Sequence, residues 1–406
     1  MGKLKYVEYL DGTRGVLCLL IMAYHWPMKY LSISLGWEVL QAFYVFSGYL
    51  IARILIHQKE KNAPFKYYYG RFWFRRAFRI FPLYYAFVLF WVIVHFAGVL
   101  VNSQFIVDST EEVQRNGFFI STYLYNFMTY FNFLKGINYD SSFIFGHLWS
   151  LSLEEHFYLI FPLIVFICSK KQLLYGSIFL VIFVPVLRYF GHDWLFSIND
   201  DPKWVAETIY RNTFFQMDSF AIGCVLAITG FKWIKRTLWA FYGFLFFTVA
   251  VYLFLRYQAA MDGLHLKEIL SAKGLHFWLL SYHQYVYILT IVNFQIALLC
   301  MSFERGFGII PFLFKNKLME YLGKISYGMY TFHVPILFFW LVFYSRIVPI
   351  WIHTKYPFLY ELAAWVPYMT IVVVFSHLSY YYYESYFLTL KDKRDKRKEY
   401  RKLAEK

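Results

Sequence analysis

Two polar residues interrupt the first apolar stretch of this chain, DGTRGVLCLLIMAYHW at residues 11–26. Arg14 and His25 are eleven residues apart, which on an α-helix amounts to about three turns plus 20° and about 16 Å along the axis. The two side chains are therefore expected on one helix face. An imidazole can take a proton from a hydroxyl and later return it, so we predict that His25 is a general base. The alternative is a neutral histidine that hydrogen-bonds a neighbouring helix.

Four arginines lie within nine residues of a second segment, RFWFRRAFRIFPLYY. Arg71, Arg75 and Arg79 are four residues apart and share a helix face. Arg76 lies next to them. Guanidinium groups bind phosphate through two parallel hydrogen bonds, so Arg75, Arg76 and Arg79 are predicted to hold a phosphate-rich ligand at the cytoplasmic mouth of the protein. Anionic lipid headgroups and membrane orientation are the alternative explanation.

Two carboxylates and a histidine follow one another in a third segment, HLWSLSLEEHFYLIFPL. Glu154 and Glu155 are predicted at the outer end of a membrane span, where a carboxylate is costly unless it is paired or lines a wet cavity. Glu154 could orient the His25 imidazole, and Glu155 could hold a sugar hydroxyl. An interfacial cluster that faces water is the alternative.

Two more segments carry polar residues in apolar surroundings. In YLGKISYGMYTFHVPIL, Tyr330 and His333 are three residues apart and share a face, which makes them candidates for substrate binding or for internal packing. In YRNTFFQMDSFAIG, Arg211 and Asp218 are seven residues apart, and their similar faces predict a structural ion pair. None of the twelve histidines has the spacing of a metal site, and no nucleotide-binding or hydrolase motif is present, so no metal is predicted.

The composition requires a membrane around these segments. The chain has 406 residues, of which 60% are hydrophobic and 16% are charged, whereas a soluble domain has about 25% charged residues. Apolar runs of about 20 residues recur along it, and this length spans a bilayer. The net charge of +15 is concentrated in short loops and near the C-terminal end, a distribution that follows the positive-inside rule and argues against nucleic-acid binding.

The apolar runs and loop charges predict an all-α integral membrane protein with about ten transmembrane helices and both termini in the cytoplasm. The segment 118–134 breaks the alternation of loop charge and contains polar residues, so we expect it to be re-entrant or interfacial. Residues 1–390 are predicted to form a transmembrane domain, and residues 391–406 a basic cytoplasmic tail. The predicted spans are about 11–31, 37–56, 80–101, 148–169, 173–190, 209–229, 238–256, 279–302, 323–345 and 361–384.

Seven segments, taken in order, resemble the acyltransferase-3 family of bacterial membrane acyltransferases, and they extend along nearly the whole chain. The first segment is similar to the family's pattern of an arginine and a histidine separated by ten residues, carried here by Arg14 and His25. Each segment alone is weak evidence for the family, whereas seven segments in the family's order are highly specific evidence for it. They read LDGTRGVLCLLIMAYHW, FYVFSGYLI, RFWFRRAFRIFPLYY, HLWSLSLEEHFYLIFPL, RNTFFQMDSFAIG, LGKISYGMYTFHVPIL and YYYYESYF.

The resemblance implies transfer of an acyl group, most simply acetyl from acetyl-CoA in the cytoplasm, to a hydroxyl of an envelope glycan. The acceptor would be an O-antigen, an exopolysaccharide, another surface polysaccharide or a lipid-linked saccharide, presented outside the bacterial inner membrane. By the same resemblance His25 is the essential residue and Glu154 the acid of its motif, while Arg14 and the arginine cluster meet the acyl-CoA donor. Some relatives carry an added hydrolase-like domain, which this chain is expected to lack.

Several alternatives stay open on the sequence alone. A transporter or flippase of a glycan lipid would line a path with the same polar residues and would not need acyl-CoA. An acyltransferase could instead act on a small glycosylated metabolite, and an unrelated membrane O-acyltransferase fold would show a different motif order. For the acyltransferase, the sequence does not separate a general-base His25 from a nucleophilic His25 that forms an acyl-imidazole.

Overall fold

The computed structural model describes residues 9–33, 35–62, 64–136, 144–230, 239–243, 245–247, 250, 285–304 and 314–390. Within these residues all regular secondary structure is helical, as the sequence predicts. Short 3-10 turns at Gly146–Leu148 and Thr213–Gln216 precede α7 and α10, and a π-helical turn at Ser379–Glu384 follows α14. The α-helices, in chain order, are α1 (Tyr9–His25), α2 (Gly36–Lys59), α3 (Phe65–Leu100), α4 (Gln104–Thr110), α5 (Glu112–Ser121), α6 (Tyr125–Leu134), α7 (Trp149–Ile167), α8 (Lys170–Ile198), α9 (Pro202–Arg211), α10 (Met217–Thr229), α11 (Tyr285–Glu304), α12 (Lys317–Ile347), α13 (Ile350–Lys355) and α14 (Pro357–Leu378).

In the described part of the chain, six helical segments are long and apolar enough to cross a bilayer, and two shorter apolar helices accompany them. The chain is therefore a multi-pass membrane protein. The count of ten spans and the cytoplasmic termini stay predictions, because most of 238–256 and all of 391–406 lie outside the described residues. The six segments are Gly36–Lys59, Phe65–Leu100, Gly146–Ile167, Lys170–Ile198, Lys317–Ile347 and Pro357–Leu390, and the shorter helices are Thr213–Thr229 and Val286–Ser302.

The segment 118–134 forms parts of two short helices instead of one span. α5 ends at Ser121 and α6 begins at Tyr125, and the intervening Tyr123 adopts a left-handed φ of 56°. Each helix has 10 residues and is about 15 Å long, roughly half the thickness of a hydrocarbon core. Neither helix can cross a bilayer alone, which agrees with the expectation of a re-entrant or interfacial segment.

The helices divide into two compact units. The first unit holds α1, α2, α8, α10 and α11, and the second holds α3, α5, α14 and most of α7 and α12. The first unit consists of Met1–Glu60, Thr129–Tyr139 and Ile164–Gly323, and the second of Lys61–Met128, Asp140–Leu163 and Lys324–Lys406.

Glycines allow helix backbones to touch in the first unit. A Cβ atom on Gly15 of α1 would overlap the Met319 carbonyl oxygen, and one on Gly323 of α12 would overlap the Asp11 carbonyl oxygen. Only glycine permits so close an approach. The contact fixes the N-terminal half of α1, which carries Arg14. α2 and α10 cross on glycines in the same way.

A fully buried ion pair lies in the interior of the first unit. Arg188 of α8 and Asp218 of α10 are both inaccessible to solvent, and Arg188 Nη2 lies 2.5 Å from Asp218 Oδ1. Arg188 also donates to the Phe215 carbonyl oxygen at 2.7 Å and to Thr290 Oγ1 at 3.0 Å. Asp218 Oδ2 accepts hydrogen bonds from Thr290 at 2.5 Å and from Asn293 at 3.4 Å. Both oxygens of the buried carboxylate are therefore occupied.

The predicted ion pair between Arg211 and Asp218 is wrong. Arg211 pairs with Glu207, one turn earlier in α9, at 2.9 Å. The prediction assumed one continuous helix, whereas α9 ends at Arg211 and the 3-10 turn Thr213–Gln216 separates it from α10. Because this break changes the rotation per residue, Asp218 faces Arg188 instead.

Candidate functional site

His25 is the last residue of α1, and Arg14 lies eleven residues earlier on the same continuous helix. The two side chains therefore share a helix face. His25 Nδ1 lies 3.0 Å from the Ile21 carbonyl oxygen. Because a carbonyl oxygen only accepts hydrogen bonds, Nδ1 carries the proton and the lone pair is on Nε2. A neutral imidazole in this tautomer can accept a proton from a hydroxyl.

Arg14 makes a loose ion pair near the other end of this helix face. Its Nη1 lies 3.4 Å from Asp11 Oδ1, and both side chains are about a quarter exposed, at 26% and 25%. The backbone of Asp11 forms the close contact with Gly323, so the helix that carries the pair is firmly held. Arg14 is thus a fixed cation that can exchange a weak partner for an anionic ligand.

The second unit brings Arg76 of α3 next to the carboxylates of α7. The Tyr158 hydroxyl donates to Glu154 Oε2 at 2.8 Å, and the Arg76 guanidinium lies 4.9 Å from the centre of the Tyr158 ring. The Glu155 carboxylate is attracted by Arg76 and repelled by Glu154. An arginine, two carboxylates and a tyrosine therefore form one polar cluster, which we call the Glu155 cluster.

This placement corrects the predicted separation between the arginines and the carboxylates. The sequence places Arg76 at the cytoplasmic mouth and Glu155 at the outer end of a span, whereas Arg76 lies against Tyr158, which bonds the neighbouring Glu154. α3 has 36 residues and is about 54 Å long, much longer than the hydrocarbon core of a bilayer. Its first third can therefore run beside α7 instead of ending at the membrane surface.

The three arginines predicted to bind phosphate have different surroundings. The Arg75 side chain is exposed, whereas Arg76 belongs to the Glu155 cluster. Arg79 attracts Glu384, a buried carboxylate in the π-helical turn after α14. Of the three, Arg75 alone presents an exposed side chain, and the other two interact with carboxylates of the protein.

Tyr330 and His333 of α12 lie together around His147, a residue that no spacing in the sequence distinguishes. The Tyr330 hydroxyl donates to the His147 carbonyl oxygen at 2.9 Å and also bonds the Ser150 hydroxyl. The His333 ring centre lies 5.1 Å from that of His147, and both histidines are buried. These contacts suit internal packing, and contact with a substrate stays a prediction. The position of His147 at the head of HLWSLSLEE is the one signal that could have indicated it.

Tyr123, in the turn between α5 and α6, also interacts with Glu155. It is one of 38 tyrosines in a chain rich in aromatic residues, and its spacing gives no signal. Its unusual backbone conformation is visible only in the structure. Among the described residues, no group of three histidine, cysteine, aspartate or glutamate side chains is placed to hold a metal ion.

An apolar cavity of about 770 Å³ lies among α3, α12 and α14 of the second unit. Its walls are almost entirely hydrocarbon and aromatic, so it suits the hydrocarbon chain of a lipid. It offers no group for proton transfer, and we place no step of the chemistry there. The residues that line it include Phe87, Trp91, Phe339, Phe343 and Phe375.

Comparison with known proteins gives the family and its relatives. The model of the acyltransferase-3 family, described as an acyltransferase domain, matches residues 7–381. A Staphylococcus aureus (strain COL) protein, to which an O-acetyltransferase activity is ascribed, is 26% identical over 403 residues, or 95% of this chain and 58% of its own length. The peptidoglycan O-acetyltransferase OatA of Listeria monocytogenes is 26% identical over 349 residues, or 82% of this chain and 50% of that protein. The O-acetyltransferase OatA of Staphylococcus aureus (strain NCTC 8325) is 24% identical over 378 residues, or 90% of this chain and 57% of that protein.

The chain thus spans about half the length of the curated relatives it matches. No solved structure matches it. The family match covers nearly the whole chain and includes Arg14, His25 and the Glu155 cluster. The chain therefore belongs to the acyltransferase-3 family.

Proposed function

We propose that this chain transfers an acyl group, most simply acetyl, from acyl-CoA on the cytoplasmic side to a hydroxyl of an envelope glycan outside a bacterial cytoplasmic membrane. Relatives named O-acetyltransferases, one of them for peptidoglycan, support this reaction type. The observation that carries the proposal is the face of α1, with Arg14 near one end and a His25 imidazole whose lone pair is on Nε2 at the other.

In the proposed reaction His25 Nε2 removes the proton from the acceptor hydroxyl, and the oxygen attacks the thioester carbonyl of acyl-CoA. The carbon–sulfur bond then breaks, and the proton held by His25 passes to the leaving sulfur. The products are a glycan ester and free coenzyme A. The Ile21 carbonyl holds the imidazole through Nδ1 and keeps Nε2 as the basic nitrogen. In a second version of the reaction, Nε2 attacks the thioester first and forms an acyl-imidazole.

The dimensions of the donor agree with those of α1. An extended pantetheine arm is about 15 to 20 Å long by bond count, of the same order as the roughly 16 Å between Arg14 and His25. We propose that Arg14 contacts the coenzyme phosphates, and the predicted contact of Arg75 with the donor stays a prediction. Arg76 and Arg79, which interact with carboxylates of the protein, would position those groups as well.

Other roles assigned from the sequence stay predictions. Glu154 is expected to assist His25 as the acid of its motif. Its carboxylate accepts a hydrogen bond from Tyr158. Tyr330 and His333 are expected to contribute to the acceptor side, and Glu155 is taken up below.

Mass spectrometry of envelope glycans tests the proposal. Glycans are compared between cells that lack the protein and cells complemented with wild type, His25→Ala or His353→Ala at matched membrane levels. His353 is an exposed histidine of α13 and controls for the loss of an imidazole elsewhere. We expect an acyl mass increment with wild type and His353→Ala, and a loss of about 100-fold or more with His25→Ala, because a general base contributes on that scale.

Each outcome of this comparison has a distinct meaning. Equal restoration by His25→Ala would remove the proposed base. No acyl increment in any strain would favour a transporter of a glycan lipid. An increment on a small glycosylated metabolite, with the glycans unchanged, would keep the reaction and replace the acceptor.

A further inference from the structure

The turn between α5 and α6 holds a tyrosine in a backbone conformation that bulky residues avoid. Tyr123 has a φ of 56°, in the left-handed region that favours glycine, and this strain costs free energy. Three groups from other helices hold the turn, one of them the Tyr85 hydroxyl, which donates to the Ser121 carbonyl oxygen at 3.1 Å. The Tyr84 hydroxyl donates to the Ile120 carbonyl oxygen at 2.6 Å, and the His156 imidazole donates to the Tyr123 carbonyl oxygen. The fold therefore keeps a strained tyrosine firmly in place.

The Tyr123 side chain is buried, but its hydroxyl is not satisfied. The ring stacks on Tyr84, with 4.1 Å between ring centres, and on Phe81 at 5.6 Å, and only 6% of the residue is exposed. None of the described residues forms a hydrogen bond with the hydroxyl oxygen. A buried hydroxyl without a partner is destabilising. Packing alone would therefore be served as well by phenylalanine.

Glu155 supplies a matching group. Its Oε1 is buried and has no hydrogen-bond partner in the part of the chain that the structure describes. The Tyr123 hydroxyl interacts electrostatically with Glu155, and Tyr327 and Tyr84 belong to the same group. Burial raises the pKa of Tyr123, and these neighbours add to the effect, so the hydroxyl stays a hydrogen-bond donor at physiological pH. A buried donor and a buried acceptor thus belong to one electrostatic group, and neither atom forms a hydrogen bond with a described residue.

The charges around this pair indicate a neutral ligand. Glu154 and Glu155 outnumber the one cation of the cluster, Arg76, so the cluster does not favour an anion such as a coenzyme phosphate. A sugar hydroxyl is neutral and both accepts and donates a hydrogen bond. It can therefore accept from Tyr123 and donate to Glu155 at the same time.

We propose that the Tyr123 hydroxyl and the Glu155 carboxylate together bind one hydroxyl group of the sugar acceptor. The strained turn and the stacked ring fix the donor before the ligand arrives, which lowers the entropy lost on binding. This inference rests on the proposed function, which supplies a sugar as substrate. It adds Tyr123 as an acceptor-binding residue.

Tyr123→Phe separates this role from a structural one. The variant keeps the ring and removes an oxygen that bonds no described residue, so the melting temperature of the purified full chain is expected to stay equal or to rise. The Kd for a soluble N-acetylglucosamine oligosaccharide, measured without acyl-CoA, is expected to rise about tenfold, as for the loss of one good hydrogen bond.

Tyr85→Phe is the matched control. Tyr85 is exposed, contacts the Tyr123 ring, and its hydroxyl donates to the Ser121 carbonyl oxygen at 3.1 Å. We expect this variant to raise the Kd less than Tyr123→Phe does, because it removes one contact to the turn and no contact to the sugar. Equal weakening by the two variants would mean that the tyrosines act through general packing, and would overturn the proposal.

The remaining outcomes separate this inference from the proposed function. An unchanged Kd in Tyr123→Phe would show that the hydroxyl does not contact the sugar. A wild-type protein that does not bind the oligosaccharide would overturn the site for this class of acceptor. Weaker binding by Tyr123→Phe, in a protein that transfers no acyl group, would keep the sugar contact and reject the reaction.

Discussion

Asp218 and Glu155 are both carboxylates in apolar helices near an arginine, but they differ in how fully they are bonded. One oxygen of Asp218 binds Arg188 at 2.5 Å, and the other accepts hydrogen bonds from two neutral side chains. Glu155 is attracted by Arg76 and repelled by Glu154, and its Oε1 accepts no hydrogen bond from any described residue. Both oxygens of Asp218 are hydrogen-bonded within the protein, whereas Glu155 Oε1 can still accept a hydrogen bond from a ligand.

This difference separates a structural charge from one that we propose to be functional. A buried ion pair is tolerated when its geometry is complete, whereas a partly satisfied network is costly. The sequence criterion that an ionisable residue in a span marks a site applies equally to both carboxylates. Only the count of satisfied oxygens distinguishes them, and this count can be tested by mutation.

The largest effect is expected for Asp218→Ala. This change leaves Arg188 buried without its carboxylate, and breaking a buried pair in this way costs about 3–5 kcal/mol. We expect a large fall in the melting temperature of the protein purified in detergent. The double variant Arg188→Met with Asp218→Leu removes both charges and is expected to regain most of the stability. Wild-type melting of Asp218→Ala would contradict the structural role.

Glu155→Gln is expected to give the opposite pattern. The amide keeps the size of the side chain and removes both the repulsion from Glu154 and the weaker attraction to Arg76, so the melting temperature should stay equal or rise. Acyl transfer should fall about tenfold, equivalent to roughly 1.4 kcal/mol, because the contact to the acceptor loses its charge. Thermal melting and transfer rate are measured on the same preparation. A loss of stability as large as that of Asp218→Ala would abolish the comparison.

Glu112 is an intermediate case between Asp218 and Glu155. Its replacement is expected to change the melting temperature less than that of Asp218 does. This buried carboxylate at the start of α5 accepts hydrogen bonds from Asn116 and Tyr125, each at 2.9 Å. Burial raises the pKa of Glu112, although the hydrogen bonds from Tyr125 and Asn116 act against this shift. The folded state therefore favours the protonated form. This contribution to stability is fully present below the ordinary pKa of about 4.5 and is lost as the pH rises through the raised folded pKa.

Glu112→Gln isolates this contribution. Glutamine keeps an oxygen that accepts both hydrogen bonds and does not ionise. We expect wild type to lose melting temperature relative to the variant as the pH is raised above about 4.5. Parallel melting curves over the whole range would show that Glu112 has the same pKa in the folded and unfolded states.

The parts of the fold that depend on local sequence could be predicted. The apolar runs predict membrane helices because the length of a hydrophobic run decides whether it can span a bilayer. The shared face of Arg14 and His25 follows from the helical repeat within α1. The partner of Asp218 could not be predicted in this way, because Arg188 lies on another helix and a 3-10 turn separates Asp218 from Arg211.

The site was predictable in its residue types and only partly in its arrangement. The sequence identifies both Glu155 and Arg76. It does not predict their interaction, because that depends on α3 being longer than a bilayer core is thick. Tyr123 and His147 depend on tertiary contacts and have no periodic signal. The strained φ of Tyr123 is a property of the folded backbone and cannot be read from residue spacing.

Close backbone contacts at Gly12, Gly15 and Asp11 hold the N-terminal half of α1 and leave His25 at the far end of the helix. Gly15 lies ten residues before His25, which is about 15 Å along the helix. A tilt of about 5° around this point would move the imidazole by about 1.3 Å, and a misplacement of about 1 Å can slow an enzyme 100-fold. The position of the His25 imidazole therefore depends on a close helix contact at Gly15, about three turns away, that only glycine allows.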